Sequence, residues 1–139
     1  MKLPDHTDPA VSLALARTAL GLGSLAAPKV AARLFMLNPG ANPQLSYPIR
    51  LFASREIALG VATLLAPASI RTPLLAAGIA IDSSDAVAGT LALRDGEVGK
   101  LTAGVLTLPA VGAVGAGLVS LLLKRQPRRL PEQERDQRD

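Results

Sequence analysis

From Leu101 to Leu123 the chain runs for twenty-three residues without one ionisable side chain. A helix of that length in water needs a polar face, and here only Thr102, Thr107 and Ser120 are available to make one. A bilayer core about 30 Å thick is crossed by about twenty apolar residues at 1.5 Å each, so this stretch has the length and polarity of a transmembrane helix. Three further apolar runs precede it, and together they predict spans at about 10–27, 49–70, 74–93 and 101–123. The expected fold is therefore all-α, a four-helix transmembrane bundle in a single domain. Composition agrees: 49% of the 139 residues are apolar, yet only 2% are aromatic. A soluble core of this size would draw on Phe, Tyr and Trp, which bury the most area per residue. Leu, Ala, Val and Gly instead suit helices that approach closely in lipid.

The third run carries the residues that need explaining. Asp82 and Asp85 lie at its midpoint, three residues apart, and so share one face of a helix. A charge at the bilayer centre costs about 2.5–3.5 kcal/mol even on the mildest insertion scale, so such residues pair, face a cavity or serve a function. Arg17 lies at the middle of the first span and is the expected direct partner of the Asp82/Asp85 face. In the first span Arg17, Gly21 and Ser24 recur at helical spacing and define an inward, small or polar face. Arg55 and Glu56 enter the second span near one end, from which Arg55 can reach towards the same level with its long side chain. Gly60 stands four residues beyond Glu56 and leaves room for a close neighbour. Arg17, Arg55, Glu56, Asp82 and Asp85 thus form the expected buried polar network. It holds two positive and three negative groups, and closely spaced acids resist joint ionisation, so one carboxyl is expected to hold a proton.

The connectors are equally readable. Residues 1–9 form a polar N-terminal tail that contains the lone histidine, His6, read as a solvated residue. Its mixed charge is a poor start for a secretory leader, and Arg17 interrupts what would be the apolar region, so the first run reads as a span. Pro28 ends that span. Lys29 to Leu37 reads as a short amphipathic piece, followed by turns at Asn38-Pro39-Gly40 and Asn42-Pro43. With Phe35, Tyr47 and Phe52 close by, this connector is expected in the membrane interface. Arg71-Thr72-Pro73 and Arg94-Asp95-Gly96-Glu97 are the other two turns. Gly112-x-x-x-Ala116 and Ala113-x-x-x-Gly117 permit close helix contact in the fourth span, which Pro109 is expected to kink. Residues 124–139 are polar and poor in apolar side chains, so a disordered tail is expected there. Lys2, Arg71 and six basic residues of that tail fall on one side of the membrane, against Lys29, Arg33, Arg50, Arg94 and Lys100 on the other. The positive-inside rule then puts both termini in the cytoplasm of a multi-pass plasma-membrane protein.

The blocks Ala16-Arg17-x-x-Leu20-Gly21, Ala32-Arg33-Leu34, Arg50-Leu51-Phe52-x-x-Arg55-Glu56-x-Ala58-Leu59-Gly60 and Asp82-x-x-Asp85 together resemble the family of small bacterial and fungal membrane proteins catalogued as domain of unknown function 4267. The resemblance extends over residues 12–123. It departs at Ala53, where a glycine is expected after the phenylalanine. It implies a four-helix membrane protein and brings no activity.

Several functions are excluded or disfavoured. The net charge is +4, but the basic residues form no stripe interleaved with aromatics, so nucleic acid is rejected as a partner. The chain has no cysteine, hence no disulfide and no thiolate metal site. Three carboxylates could hold a hard cation, but two arginines beside them oppose it, and no metal or cofactor is expected. Ser83 and Ser84 have no histidine base within the spans, which disfavours a serine nucleophile. Two readings of function survive beside a purely structural role for the network as pins that fix helix register. The favoured one is a binding or accessory module. Its partners are the lipid bilayer, a lipid-like small molecule or a membrane protein, and a second copy of the chain is also allowed. The alternative is a membrane enzyme or proton-coupled carrier acting on a small lipophilic substrate. There Asp82, Asp85 or Glu56 would exchange a proton and Arg17 or Arg55 would orient an anionic or carbonyl group.

Overall fold

A computed structural model describes residues 8–125. The chain is all-α among these residues, with helices α1 (Pro9–Ala26), α2 (Pro28–Leu34), α3 (Ser46–Leu65), α4 (Ala68–Arg94) and α5 (Lys100–Arg125). The expected polar N-terminal tail gives way to helix as early as Pro9, because Asp8 caps α1: its carboxylate accepts from the Ala10 amide at 2.9 Å. Residues 1–7 and 126–139, and with them most of the expected disordered tail, lie outside the described residues.

The junctions follow the prolines. Pro28 opens α2 at its first position, where a missing N–H costs nothing. Asn38 then builds a turn with its side-chain oxygen, which accepts from Gly40 and Ala41, and Asn42 does the same for Gln44 at the head of a single 3-10 turn, Pro43–Leu45. The second connector differs from expectation. The chain turns at Ala66–Pro67, and Arg71-Thr72-Pro73 belongs to α4. Ala66 is extended, as a residue before proline must be, whereas Pro73 forfeits only one hydrogen bond near the start of a long helix. The α4–α5 turn is closed by Gly96 at φ +75°, a left-handed position that suits glycine.

The helices pack as two antiparallel pairs, α1 with α3 and α4 with α5, and the pairs meet where α1 packs on α5 and α3 on α4. Small residues set the approach within each pair. A methyl group at Gly60 would stand 2.6 Å from the Ala14 carbonyl oxygen, and one at Gly21 would stand 2.7 Å from that of Ala53. In the other pair Ile79 fills the space over Gly117. The short helix α2 folds back onto the start of α3, and Phe35 and Leu37 pack against a small cluster of Ala31, Ala32 and Ile49.

The outer faces are apolar: Leu15, Leu22, Leu65, Val87, Leu108 and Leu122 all project from the bundle. Polar residues inside and leucines outside is the arrangement for lipid. Three helices are long and apolar enough to cross a membrane, namely α1, α4 from Ser69 onward, and α5 to Leu123. α2 is an interfacial helix. α3 is twenty residues long but includes Arg50, Arg55 and Glu56. The molecule is a multi-pass helical membrane protein.

Candidate functional site

Each of the three inward charges is placed by the helix spacing around it. Arg17 shares its face of α1 with Ala10, Ala14, Gly21 and Ser24, all buried with it. Glu56 sits on the face of α3 formed by Ile49, Ala53 and Gly60. Because Gly21 and Gly60 bring α1 and α3 nearly into backbone contact, the Arg17 and Glu56 side chains are side by side as they leave that seam. Asp82 reaches them from α4.

The guanidinium of Arg17 forks between two helices. One terminal nitrogen donates to Glu56 Oε2 at 2.8 Å, and the other donates to Asp82 Oδ2. All three residues are buried, with 7% of Arg17 and 4% each of Glu56 and Asp82 exposed. A bidentate guanidinium holding two carboxylates on different helices fixes distance and rotation at once, which a lysine could not do. Among the described residues, Arg17 is therefore the one side chain that ties α1, α3 and α4 together.

A second pair continues the network. Arg55 donates to both oxygens of Asp85, at 3.0 and 2.5 Å, in a fork-to-fork geometry. About a third of each of these side chains is exposed. The Arg55 guanidinium also lies 5.4 Å from the centre of the Phe52 ring, which in turn meets Phe35 edge-on at 5.6 Å. The pair thus links the bundle to the residue that ends α2. Between the two pairs, Arg55 Nε and Glu56 Oε1 are 3.7 Å apart, too long for a hydrogen bond, and both atoms are buried with no other partner.

All five residues singled out from the sequence converge, and the acids of the Asp82/Asp85 face expected opposite Arg17 divide between the two arginines. Arg17 meets Asp82 and not Asp85, which goes to Arg55. Three residues along α4 amount to about 4.5 Å of rise, and the two arginines reach α4 from different helices at different heights. The Arg17–Glu56 bond does not follow from position along the spans, which puts Glu56 nearer the membrane surface than Arg17. The only hint was Gly60, whose lack of a side chain allows the two helices to meet. Among the described residues, no three acidic or imidazole groups converge as metal ligands do.

Beside the network lies a cavity bounded by Ala14 and Arg17 of α1, Thr63 of α3, Gly78 and Asp82 of α4, and Gly117 of α5. About 20 Å³ of it is open to the centre of a water molecule. That is room for a water, which needs about 10–15 Å³ on this measure and polar partners such as Arg17 and Asp82 supply. It is not room for a substrate. No family model matches the sequence, and no curated protein or solved structure is detectably similar to it.

Proposed function

We propose that the protein is a binding or accessory module of the membrane that works through its surfaces. The observation that carries this reading is the closed state of its interior: the buried charges answer one another, and the space beside them admits water only. The network then serves to lock two helix pairs into one rigid body that presents apolar faces to lipid or to another membrane protein. Resemblance to domain of unknown function 4267 is part of the same proposal. It rests on the residues quoted for it, and its most specific block, residues 50–60, carries Arg55 and Glu56.

One observation favours the alternative of a proton-handling carrier or enzyme. Glu56 Oε1 and Arg55 Nε are buried without a hydrogen bond, 3.7 Å from one another, and Arg17, which holds the other oxygen of Glu56, lines the cavity together with Asp82. Purification in mild detergent, followed by mass spectrometry of what accompanies the protein, separates the two readings. The module reading expects lipid or a membrane protein, retained by Asp82→Asn and Asp85→Asn for as long as the helices remain folded. A small metabolite lost from both folded variants would instead make the carboxylates a substrate site.

The proposal includes α3 as a fourth crossing with both termini in the cytoplasm. Support comes from chain direction. α1 lies antiparallel to α3, with Gly21 against Ala53 and Ile57 and Gly60 against Ala14 and Thr18, and α3 turns back into α4 at Ala66–Pro67, so α1 and α4 run in the same direction. If both cross, the chain must return between them, and only α3 is available. The natural sequence has no cysteine, so single cysteines can be placed freely. Gly40→Cys and Glu97→Cys are expected to react with an impermeant thiol reagent from outside intact cells, and Lys2→Cys and Arg135→Cys only after lysis. Labelling of positions 40 and 135 from the same side would refute the topology.

A further inference from the structure

A second recess lies apart from the charge network, where α1 hands over to α2 and α3 begins. It is an open cleft of about 280 Å³ between Ala27, Pro28, Lys29 and Val30 on one side and Ser46 and Arg50 on the other. Ser46 and Arg50 are four residues apart and so project from one face at the start of α3. Lys29 and Arg50 are exposed, and the ion pairs among the described residues involve only Arg17, Arg55 and Arg94 as cations. The cleft thus holds two basic groups without an acid to answer either. The first turn of α3, which borders the cleft, holds no acid either.

We propose that this cleft binds the phosphate of an anionic phospholipid. The Arg50 fork matches two phosphate oxygens, Lys29 supplies a point charge, and the Ser46 hydroxyl can donate to a third oxygen. The cleft is at the right depth, since α2 is the interfacial helix and headgroups occupy that layer. Its surroundings suit the rest of the lipid: Val30, Tyr47 and Leu51 are exposed beside it, giving an apolar path for the glycerol and the acyl chains. Head charge is selected as well. A choline or ethanolamine group would bring its cation against Lys29 and Arg50 with no carboxylate to receive it. The proposal rests on the reading of the protein as a membrane-embedded binding module and names the ligand class for it.

The test is a titration of the full-length protein in mild detergent with phosphatidylglycerol, phosphatidylcholine and inorganic phosphate, read by lipid occupancy in native mass spectrometry. Phosphatidylglycerol is expected to bind in preference to phosphatidylcholine, and inorganic phosphate is expected not to displace it. The double variant Lys29→Gln/Arg50→Gln should bind phosphatidylglycerol about thirtyfold more weakly, from two basic contacts at the usual strength near an anionic headgroup. Arg33→Gln/Lys100→Gln removes the same charge from the same end of the bundle and should keep wild-type affinity. Arg50→Lys, which keeps the charge and loses the fork, should fall between. Equal binding of the two lipids, or equal losses in the two double variants, would overturn the site. Displacement by inorganic phosphate would overturn the lipid and make the ligand a soluble anion. Failure of the membrane reading itself looks different: the protein would then be recovered from cells without detergent.

Discussion

Replacement of Arg17 by methionine is expected to lower the stability of the bundle by about 3–5 kcal/mol, the usual cost of breaking a buried ion pair by removing one partner. The size follows from what is left behind. Glu56 and Asp82 are each 4% exposed, and without Arg17 two carboxylates on neighbouring helices face one another with no cation between them. Methionine keeps much of the length of the arginine stem, so the loss reports on the fork rather than on a hole. Reversible unfolding in mixed detergent micelles measures it. Glu56→Gln and Asp82→Asn should each cost less, because an amide oxygen still accepts from the guanidinium. A loss from Arg17→Met no larger than theirs would mean that the fork contributes little.

The second large effect is steric. Gly60→Val is expected to destabilise the α1–α3 pair by about 1–3 kcal/mol or more, the range for overpacking a tight contact. Even the first carbon of a side chain at position 60 meets the backbone of α1, at 2.6 Å from the Ala14 carbonyl oxygen and 3.0 Å from the Thr18 nitrogen. Backbone cannot rotate away as a flexible side chain can, so the helices must part. Parting them also pulls Arg17 from Glu56, and the steric and electrostatic losses should therefore compound. Gly112 is the control. Nothing lies within 4 Å of a methyl group there, and Gly112→Ala should be neutral or stabilising by up to about 1 kcal/mol through helix propensity alone. Equal melting temperatures for Gly60→Val and Gly112→Ala would contradict the packing described for α1 and α3.

Much of this was legible in the chain because a helix writes its buried face into the spacing of its residues. Arg17, Gly21 and Ser24 marked the inward face of α1, and all three are buried. Asp82 and Asp85 announced themselves by standing in the middle of an apolar run. What the spacing does not contain is the height and rotation of one helix against the next. That is why Asp82 and Asp85 could be assigned to the interior but not divided between Arg17 and Arg55. The α3–α4 turn was misplaced for a different reason. Arg71-Thr72-Pro73 has the residues of a turn, yet a proline near the start of a long helix costs little, and Pro67 made the break first. The cleft at Lys29, Ser46 and Arg50 left no mark in the sequence at all, since it exists only because α2 folds back across the start of α3.

The account turns on the claim that Arg17 clamps the two helix pairs together through Asp82, and a double-mutant cycle tests that claim most directly. Arg17→Gln, Asp82→Asn and the combined variant should be compared with the wild type by unfolding in the same micelles. The account predicts that the combined variant loses less than the two single losses together, by about 1–3 kcal/mol, within the range for residues that share an ion pair. Additivity to within about 0.5 kcal/mol would show two independent residues and would contradict it.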